Sequence, residues 1–413
     1  MSAPSPSRPL DRPARNRAVV SLIAAIFAIS ITFGLNMPLL PPLIAAVTAR
    51  GEAVSIPLHA GLLAAVFTFA LGAAAPVWGA WSDRVGRRPL LLIGMGGFAA
   101  TLFVFAAPAG LPALYAVQLL TGAAAAAVMP VASALVADLA PDDHWRASRL
   151  AWLNMALVAG FVLGPVAGTM ADRLLLRDVA GQTVLVTPFL AASVLALLVL
   201  AMLWRWAPGT PSGLPARRAG PGPQAGVRAL LALTFMVSLS IGVFEVAIAI
   251  RGGRTLGLSL GQVGALFTGC SLLMFAAQAA VFSPRVQPRG TAELLAPAFV
   301  VLAMGMAVAG FATSFPLYAV AVALFAVSGG VLVPVLAYWV SRRAGGAQGR
   351  QLGRQTAAAG LGQAAGSSLA GVLFDSAAPS GAALWLGAAL VLGAALFAFA
   401  KRRTLLDPAA HRA

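Results

Sequence analysis

One carboxylate lies deep within an apolar stretch of this sequence. Glu245 interrupts the run from Ala229 to Ile250, which otherwise holds no Asp, Glu, Lys or Arg. A carboxylate in hydrocarbon is costly unless it is protonated, paired or exposed to water, and such residues usually serve a function. We therefore predict that Glu245 binds and releases a proton, or holds a cationic group of a ligand. The structural alternative is an ion pair with Arg251 or Arg254.

Uncharged amide side chains are the other polar groups within the apolar runs. Asn36 lies at a depth similar to that of Glu245, and three prolines in the next six residues distort the chain that follows it. Such amides either contact a bound molecule or make hydrogen bonds between helices. The amides that we predict to take part in proton coupling or substrate binding are Asn36, Gln118, Asn154 and Gln363.

The sequence contains no constellation that indicates an enzyme. The three histidines, His59, His144 and His411, are far apart, and the single cysteine is Cys270. One thiol excludes a disulfide framework and a thiolate metal site. The sequence contains no glycine-rich phosphate-binding loop, so it does not predict a protein that is driven directly by ATP. We therefore expect no catalytic residues, no bound metal and no cofactor.

The composition indicates a protein of the lipid bilayer. Of the 413 residues, 60% are hydrophobic and only 10% are charged, and the mean hydropathy is +0.89. A soluble protein would carry about 25% charged residues. The net charge of +16 comes from basic residues that lie mainly outside the apolar runs. Basic residues at such positions set the orientation of a protein in a membrane. The net charge therefore does not predict a nucleic-acid partner.

Charge-free runs that can each hold about 20 apolar residues predict twelve membrane-spanning helices. Two runs are of double length. Segment 108–112 divides the first of these into two spans, and segment 313–316 divides the second. The runs are Ala18–Ala49, Ala53–Ser82, Pro89–Ala137, Leu150–Ala171, Val179–Trp204, Ala229–Ile250, Thr255–Pro284, Leu294–Ser341, Gln355–Phe374 and Ser376–Ala400. These predict an N-terminal bundle at 18–206, a cytoplasmic linker at 207–227, a C-terminal bundle at 228–400, and tails at 1–17 and 401–413.

The basic residues predict the orientation, because cytoplasmic loops carry an excess of Lys and Arg. With the N-terminus inside, 23 of the 28 basic residues lie in inner segments. An even number of spans then places both termini in the cytoplasm. We predict a multi-pass protein of the plasma membrane, in a bacterium the inner membrane. Two halves that repeat a six-helix plan also predict a substrate site near the midplane between them.

A charged loop between the second and third predicted spans has a distinctive pattern. It follows G-x-x-x-D-R-x-G-R-R and comprises Gly79, Asp83, Arg84, Gly86, Arg87 and Arg88. Gly79 permits a close helix approach and Gly86 a turn with positive φ, and Arg84 or Arg87 can pair with Asp138. The pattern resembles the signature loop of the major facilitator superfamily. The resemblance implies that this cluster latches the two halves together in the outward-open state; solvated charges that only set the topology are the alternative.

Other segments resemble motifs of the same family. The fifth span carries a motif similar to the helix-5 motif of the antiporter branch, at Gly160, Gly164, Pro165 and Gly168. Thr169 replaces the last glycine of that motif, and small residues at this spacing also suit any close helix contact. The segment from Ala280 to Arg289 is a second copy of the charged loop, with Pro284 in place of the acid. In the fourth span, where the family usually has a buried arginine, the nearest polar residue is Gln118. Because glutamine carries no charge, this difference weakens the expectation of a proton relay in that span.

The resemblance covers about residues 17 to 403 and is closest to the drug:proton antiporter group. It implies an all-α integral membrane protein of two pseudo-symmetric six-helix bundles. It further implies a monomer that exports a small molecule by alternating access, driven by proton entry. Three alternatives stay open. They are a proton-coupled importer or facilitator of a metabolite, an exporter of a metal-chelating metallophore that would use Glu245 and Arg251, and a non-transporting membrane receptor.

Overall fold

Helices form nearly all of the structure. It is a computed structural model, and it describes residues 11–48, 54–105, 110–175, 186–209, 224–281, 291, 293–343, 348–376 and 379–401. Within these ranges no β-strand occurs. In chain order the helices are α1 (Arg12–Thr48), α2 (Ile56–Val85), α3 (Arg87–Phe105), α4 (Leu111–Ala125), α5 (Val128–Leu139), α6 (Asp143–Leu175), α7 (Val186–Trp206), α8 (Gln224–Arg254), α9 (Leu260–Val281), α10 (Leu295–Phe311), α11 (Phe315–Arg343), α12 (Gln348–Asp375) and α13 (Ala382–Ala400).

These helices provide the twelve predicted spans. Among the described residues, eleven helical segments are long and apolar enough to cross a membrane, and α10 is a shorter apolar helix of 17 residues. One of the eleven, Leu111–Leu139, contains both α4 and α5. Pro130 explains the interruption between them, because it has no N–H to donate to the carbonyl of Ala126.

Several helices begin well before the charge-free runs that predicted them. Helix α1 begins at Arg12 and continues through its three prolines, and α6 begins at Asp143. The start of α6 is capped by Asp142, whose Oδ1 accepts a hydrogen bond of 2.7 Å from the N–H of Trp145. A charge-free run therefore marks the part of a helix that hydrocarbon can surround, while charged residues extend the same helix into the interface.

The spans pack in two sets of six. In the first set, the most extensive contacts join α1 to α6, α3 to α7 and α2 to α4; in the second, they join α8 to α12 and α10 to α11 and α13. The two sets meet mainly through α2 and α12, and also through α6 and α9. Because successive spans run in opposite directions, the α2–α3 loop and the end of α7 lie on one face. We call this the basic face, after Arg87, Arg88 and Arg205; the ends of α8 and α10 lie on the opposite face.

Candidate functional site

Glu245 lies within the membrane-spanning part of α8 and accepts a hydrogen bond from another helix. It precedes the end of α8 at Arg254 by nine residues, or about 13 Å along the helix. The Nε2 of Gln363, on α12, donates to Glu245 Oε2 at 2.8 Å. Two of the five predicted coupling residues therefore meet at the α8–α12 contact.

The predicted alternative of an ion pair between Glu245 and Arg251 is wrong. The Arg251 side chain is buried, with Nη1 donating to Ser380 Oγ at 2.7 Å and Nη2 donating to the carbonyl of Ala312 at 2.8 Å. Arg251 therefore joins the connections after α10 and before α13, at the opposite face. Arg254 is exposed at the end of α8. The carboxylate of Glu245 is thus free of a cationic partner among the described residues.

Glycines bring α8 and α12 close enough for this contact. A Cβ added to Gly242 would overlap the carbonyl oxygen of Gln363, and one added to Gly366 would overlap the carbonyl oxygen of Leu239. Side chains larger than hydrogen at these positions would separate the helices. The backbone contact therefore fixes Gln363 beside Glu245 and leaves little room between them.

A second pair of predicted residues meets in the first set of helices. Asn36 Nδ2, on α1, donates to Gln118 Oε1, on α4, at 3.4 Å. Both side chains are buried, with 5% and 1% of their surface exposed. Asn36 Oδ1 and Gln118 Nε2 have no hydrogen-bond partner in the described part of the protein. The pair therefore keeps one free acceptor and one free donor.

The Asn36–Gln118 pair lines a small aromatic cavity. The space open to water is about 10 Å³, enough for roughly one water molecule. Every lining residue belongs to α1, α2, α3, α4 or α7, so the cavity lies inside the first set of helices and not between the two sets. Its rings come from Phe33, Phe67, Phe98, Phe105 and Phe189.

Asn154 stands apart from both pairs. Its side chain is exposed on α6, and its Nδ2 donates to the carbonyl of Leu150 in the same helix at 3.1 Å. Among the described residues, Asn154 makes no hydrogen bond to Glu245 or Asn36. The structure therefore brings together four of the five predicted residues as two separate pairs.

The charged loop forms an ion pair within the first set of helices. Arg87 Nε contacts Asp138 Oδ2 at 3.1 Å, and Arg87 Nη1 donates to Ser82 Oγ at 2.6 Å. The predicted pairing of Arg87 with Asp138 is confirmed, and it links α3 to α5 rather than one half to the other. Arg88 Nη2 donates to the carbonyl of Trp204 at 2.6 Å, which ties α3 to α7.

The two glycines of the loop differ in their roles. Gly86 has φ of 100° and ends α2, with its N–H donating to Ser82, so the predicted turn with positive φ is confirmed. The predicted close helix approach at Gly79 is wrong, because an added Cβ there would meet nothing within 4 Å. Arg84 is exposed at the end of α2. The side chain of Asp83, and residues 282–289 of the second loop copy, lie outside the described residues.

The helix-5 motif packs α6 against α1. A Cβ on Gly164 would lie 2.6 Å from the carbonyl oxygen of Ile31 and 2.7 Å from the Cα of Gly34, and Gly160 is equally close to Ser30. Pro165 lies against Gly34, and Gly168 faces Leu35 at ordinary contact distance. The predicted small-residue face therefore exists, and it joins helices of one half.

Two polar contacts escaped the sequence reasoning. His59 Nδ1 lies 2.8 Å from the hydroxyl of Tyr115, which joins α2 to α4 near the opposite face. Ser82 accepts from Arg87, as described above. The signal for Ser82 was its position directly before Asp83, but a histidine and a tyrosine 56 residues apart give no sequence signal of contact.

Two sets of six membrane-spanning helices, with Glu245 deep within one span of the described residues, define a polytopic carrier protein. The model described as Major Facilitator Superfamily matches residues 22–232, just over half of the chain, and the protein belongs to this family of membrane transporters. Its relatives are transporters and not enzymes.

Relatives and a solved structure agree with this assignment. The chain is 28% identical over 344 residues to the class C tetracycline resistance protein of Escherichia coli, covering 79% of this chain and 82% of the relative. It is 23% identical to multidrug resistance protein 1 of Bacillus subtilis (strain 168), covering 87% and 90%. These relatives confirm the predicted resemblance to the drug:proton antiporter group. A bacterial homologue of the lysosomal transporter Spinster, in an inward-facing, occupied conformation, shares the fold, with a TM-score of 0.74 at 16% identity over 97% of this chain and 100% of that one.

Proposed function

We propose that this transporter exports a small molecule in exchange for protons, by alternating access of a site between its two helix sets. The observation that carries the proposal is Glu245. Within the described residues it is the carboxylate that lies farthest from either end of its span, and an amide is its hydrogen-bond partner. An unpaired acid at this depth can take up a proton from one face and release it to the other.

The arrangement of Glu245 favours proton coupling over a structural role. A structural carboxylate in a span is commonly paired with a cation, but the nearby buried cation, Arg251, has other partners. Deprotonated Glu245 therefore carries an uncompensated negative charge. That charge is removed when a proton or a cationic substrate binds, so the two can compete for one site.

The same contacts weaken the proposal of a metallophore exporter. That alternative depended on Glu245 and Arg251 acting as a pair, and Arg251 is instead committed to Ser380 and Ala312. The relatives named above are resistance proteins for tetracycline and for several drugs. We infer a substrate of that kind, a small molecule with apolar surface, and a protein that acts as a monomer.

We further propose that the protein lies in the inner membrane of a bacterium, with the basic face and both termini in the cytoplasm. Support comes from the excess of Lys and Arg on that face. Cysteines introduced one at a time at Val85 and Gly253, exposed residues on opposite faces, test this in intact cells once the native Cys270 is replaced by serine. We expect a membrane-impermeant maleimide to label position 253 and not 85. Labelling of position 85 from outside would show that the orientation is the reverse of the one proposed.

The test of proton coupling is transport into proteoliposomes under an imposed pH gradient. Tetracycline and a quinolone serve as probes, as compounds that resistance proteins among the relatives are named for. We expect gradient-driven uptake by the wild-type protein, and uptake at the level of empty liposomes for Glu245→Gln. Glu293→Gln is the matched control, because Glu293 is exposed and the chemical change is the same.

Two results would contradict the proposal. Wild-type transport that is insensitive to the pH gradient would indicate a facilitator. Full gradient-driven transport by Glu245→Gln would show that coupling depends on another group.

A further inference from the structure

Helix α12 is held between α8 of its own half and α2 of the other half. These are the two most extensive helix contacts that α12 makes. Toward α2, an added Cβ on Gly360 would lie 2.7 Å from the Cα of Gly72, and one on Gly371 would lie 3.0 Å from the Cα of Gly61. Both contacts are backbone against backbone. Because no side chains intervene to absorb a displacement, movement of α12 relative to α8 also moves it relative to α2.

Gln363 lies on the face of α12 that packs against α8. Its side chain donates to Glu245, and its own carbonyl oxygen touches Gly242, three residues before Glu245. One turn later on α12, Ser367 is fully buried, and its Oγ has no partner among the described residues. The carbonyl of Ser367 lies 2.5 Å from a Cβ built on Gly61 of α2. A single turn of α12 thus connects the carboxylate to the contact between the halves.

An amide is suited to this position because it offers both a donor and an acceptor without a charge. The ionised carboxylate can only accept, and Gln363 Nε2 donates to it at 2.8 Å. The protonated carboxyl group can also donate through its O–H, and Gln363 Oε1 can accept that bond after the amide turns over. A leucine could do neither, and a lysine or arginine would hold Glu245 in its ionised form.

We propose that Gln363 is the positioning residue that transmits the protonation state of Glu245 through α12 to the α2–α12 contact between the halves. This inference rests on the proposed function, because it assigns a partner to the same carboxylate. Gln363 itself exchanges no proton with solvent. Its role is to change hydrogen-bond direction when Glu245 gains or loses a proton, and so to change the position of α12 against α8.

Few other ionisable groups face Glu245 in the described residues. Cys270 of α9 is the one that interacts with it electrostatically. Arg251 on α8 and Tyr318 on α11 interact with each other at the opposite face. The ionisable residues of α1, α2, α12 and α13 lie toward the ends of those helices. A change in the pH response after substitution of Gln363 can therefore be attributed to the Glu245–Gln363 pair.

The first measurement is the pH profile of probe transport by Gln363→Leu, with tetracycline or whichever probe the wild-type protein carries. Loss of a hydrogen bond to a charged group favours the protonated carboxyl group, and we expect the half-maximal point to move to higher pH by about one to two units. Asn154→Leu is the matched control, because Asn154 is exposed and bonded only within its own helix. Its profile should match that of the wild-type protein.

The second measurement is the distance between spin labels on the two halves. Cysteines at Pro141 and Arg354, both exposed at the basic face, carry the labels. In the wild-type protein we expect the distance distribution to change between acidic and alkaline pH. In Gln363→Leu the change should be smaller and should occur at higher pH, and in Glu245→Gln it should be absent.

These outcomes separate the inference from the proposed function. Wild-type pH responses in Gln363→Leu, together with loss of response in Glu245→Gln, would overturn the role of Gln363 alone. An unaltered response in Glu245→Gln would overturn the proposed function itself. If Gln363→Leu does not fold, Gln363→Glu replaces it, since a carboxyl group that shares one proton with Glu245 can also both donate and accept. It should keep a pH response with a displaced midpoint, and a wild-type midpoint would overturn the inference.

Discussion

Gly366→Ala tests whether backbone contact between α8 and α12 holds the second half together. The added methyl group would overlap the carbonyl oxygen of Leu239 and would lie 2.8 Å from its carbonyl carbon, where ordinary contact begins at 3.4 Å. The helices must therefore separate by at least about 0.6 Å, and the neighbouring atoms are backbone, which cannot rotate away. Overpacking of this kind costs about 1–3 kcal/mol.

The control for this variant is Gly269→Ala, on α9. A Cβ at Gly269 would meet nothing within 4 Å. Both substitutions gain up to about 1 kcal/mol from the higher helix propensity of alanine, so this gain cancels when the two are compared. We expect Gly366→Ala to be less stable than Gly269→Ala by about 1–3 kcal/mol in free energy of unfolding.

The measurement is reversible unfolding in mixed detergent micelles, followed by tryptophan fluorescence. Transport by Gly366→Ala should also fall, because separation of α8 from α12 pulls Gln363 away from Glu245. Equal unfolding free energies for the two variants would refute the close packing. A destabilised Gly366→Ala protein that transports normally would refute the link between this packing and the carboxylate.

Two other predictions concern the remaining polar pairs. Arg87→Ala removes both the ion pair with Asp138, whose side chains are 14% and 27% exposed, and the hydrogen bond to the buried Ser82, so the free energy of unfolding should fall by about 1–3 kcal/mol. We expect Arg87→Ala to lose much of its transport activity in proteoliposomes. The swapped pair, Arg87→Asp with Asp138→Arg, should recover part of that activity. Unchanged transport by Arg87→Ala would favour a role in topology alone. Asn36→Leu or Gln118→Leu alone leaves a buried amide without its partner and should destabilise the protein by about 1–3 kcal/mol. The double variant should be closer to the wild-type protein, and a double-mutant cycle of unfolding free energies with no coupling between the two sites would contradict the contact.

The sequence was sufficient for the fold because the bilayer imposes a simple rule. Hydrocarbon excludes unpaired charge and unpaired backbone groups, so charge-free runs of sufficient length become helices. The charge-free runs predicted all twelve spans. They misplaced helix ends such as Arg12 and Asp143, because a helix continues past the hydrocarbon wherever its residues permit.

Pairing between helices was less predictable from sequence. Composition identified Glu245, Gln363, Asn36 and Gln118 as unusual, but their partners depend on how α8 meets α12 and how α1 meets α4. Those contacts are set by glycine positions and by three-dimensional packing. The same limit explains the error at Gly79, where a glycine at the right spacing faces no neighbouring helix. It also explains the error at Arg251, whose nearness in sequence to Glu245 did not produce a contact.

The two halves use one packing scheme with different chemistry, and under the proposed function this difference accounts for the place of proton coupling. In the first half, Gly164 of α6 packs against Gly34 of α1; in the second, Gly366 of α12 packs against α8. The residue three positions before each glycine is Phe161 in the first half and Gln363 in the second.

Phe161 makes an edge contact with Phe33 of α1, with ring centroids 5.3 Å apart, whereas Gln363 bonds to Glu245 of α8. Equivalent helix contacts therefore carry an apolar pair in one half and a pair with an ionisable carboxyl group in the other. An apolar contact does not change with pH, so of these two equivalent helix contacts only the one between α8 and α12 responds to a change in protonation. Under the proposed function, a shift of α12 would therefore bias the rocking of one bundle against the other.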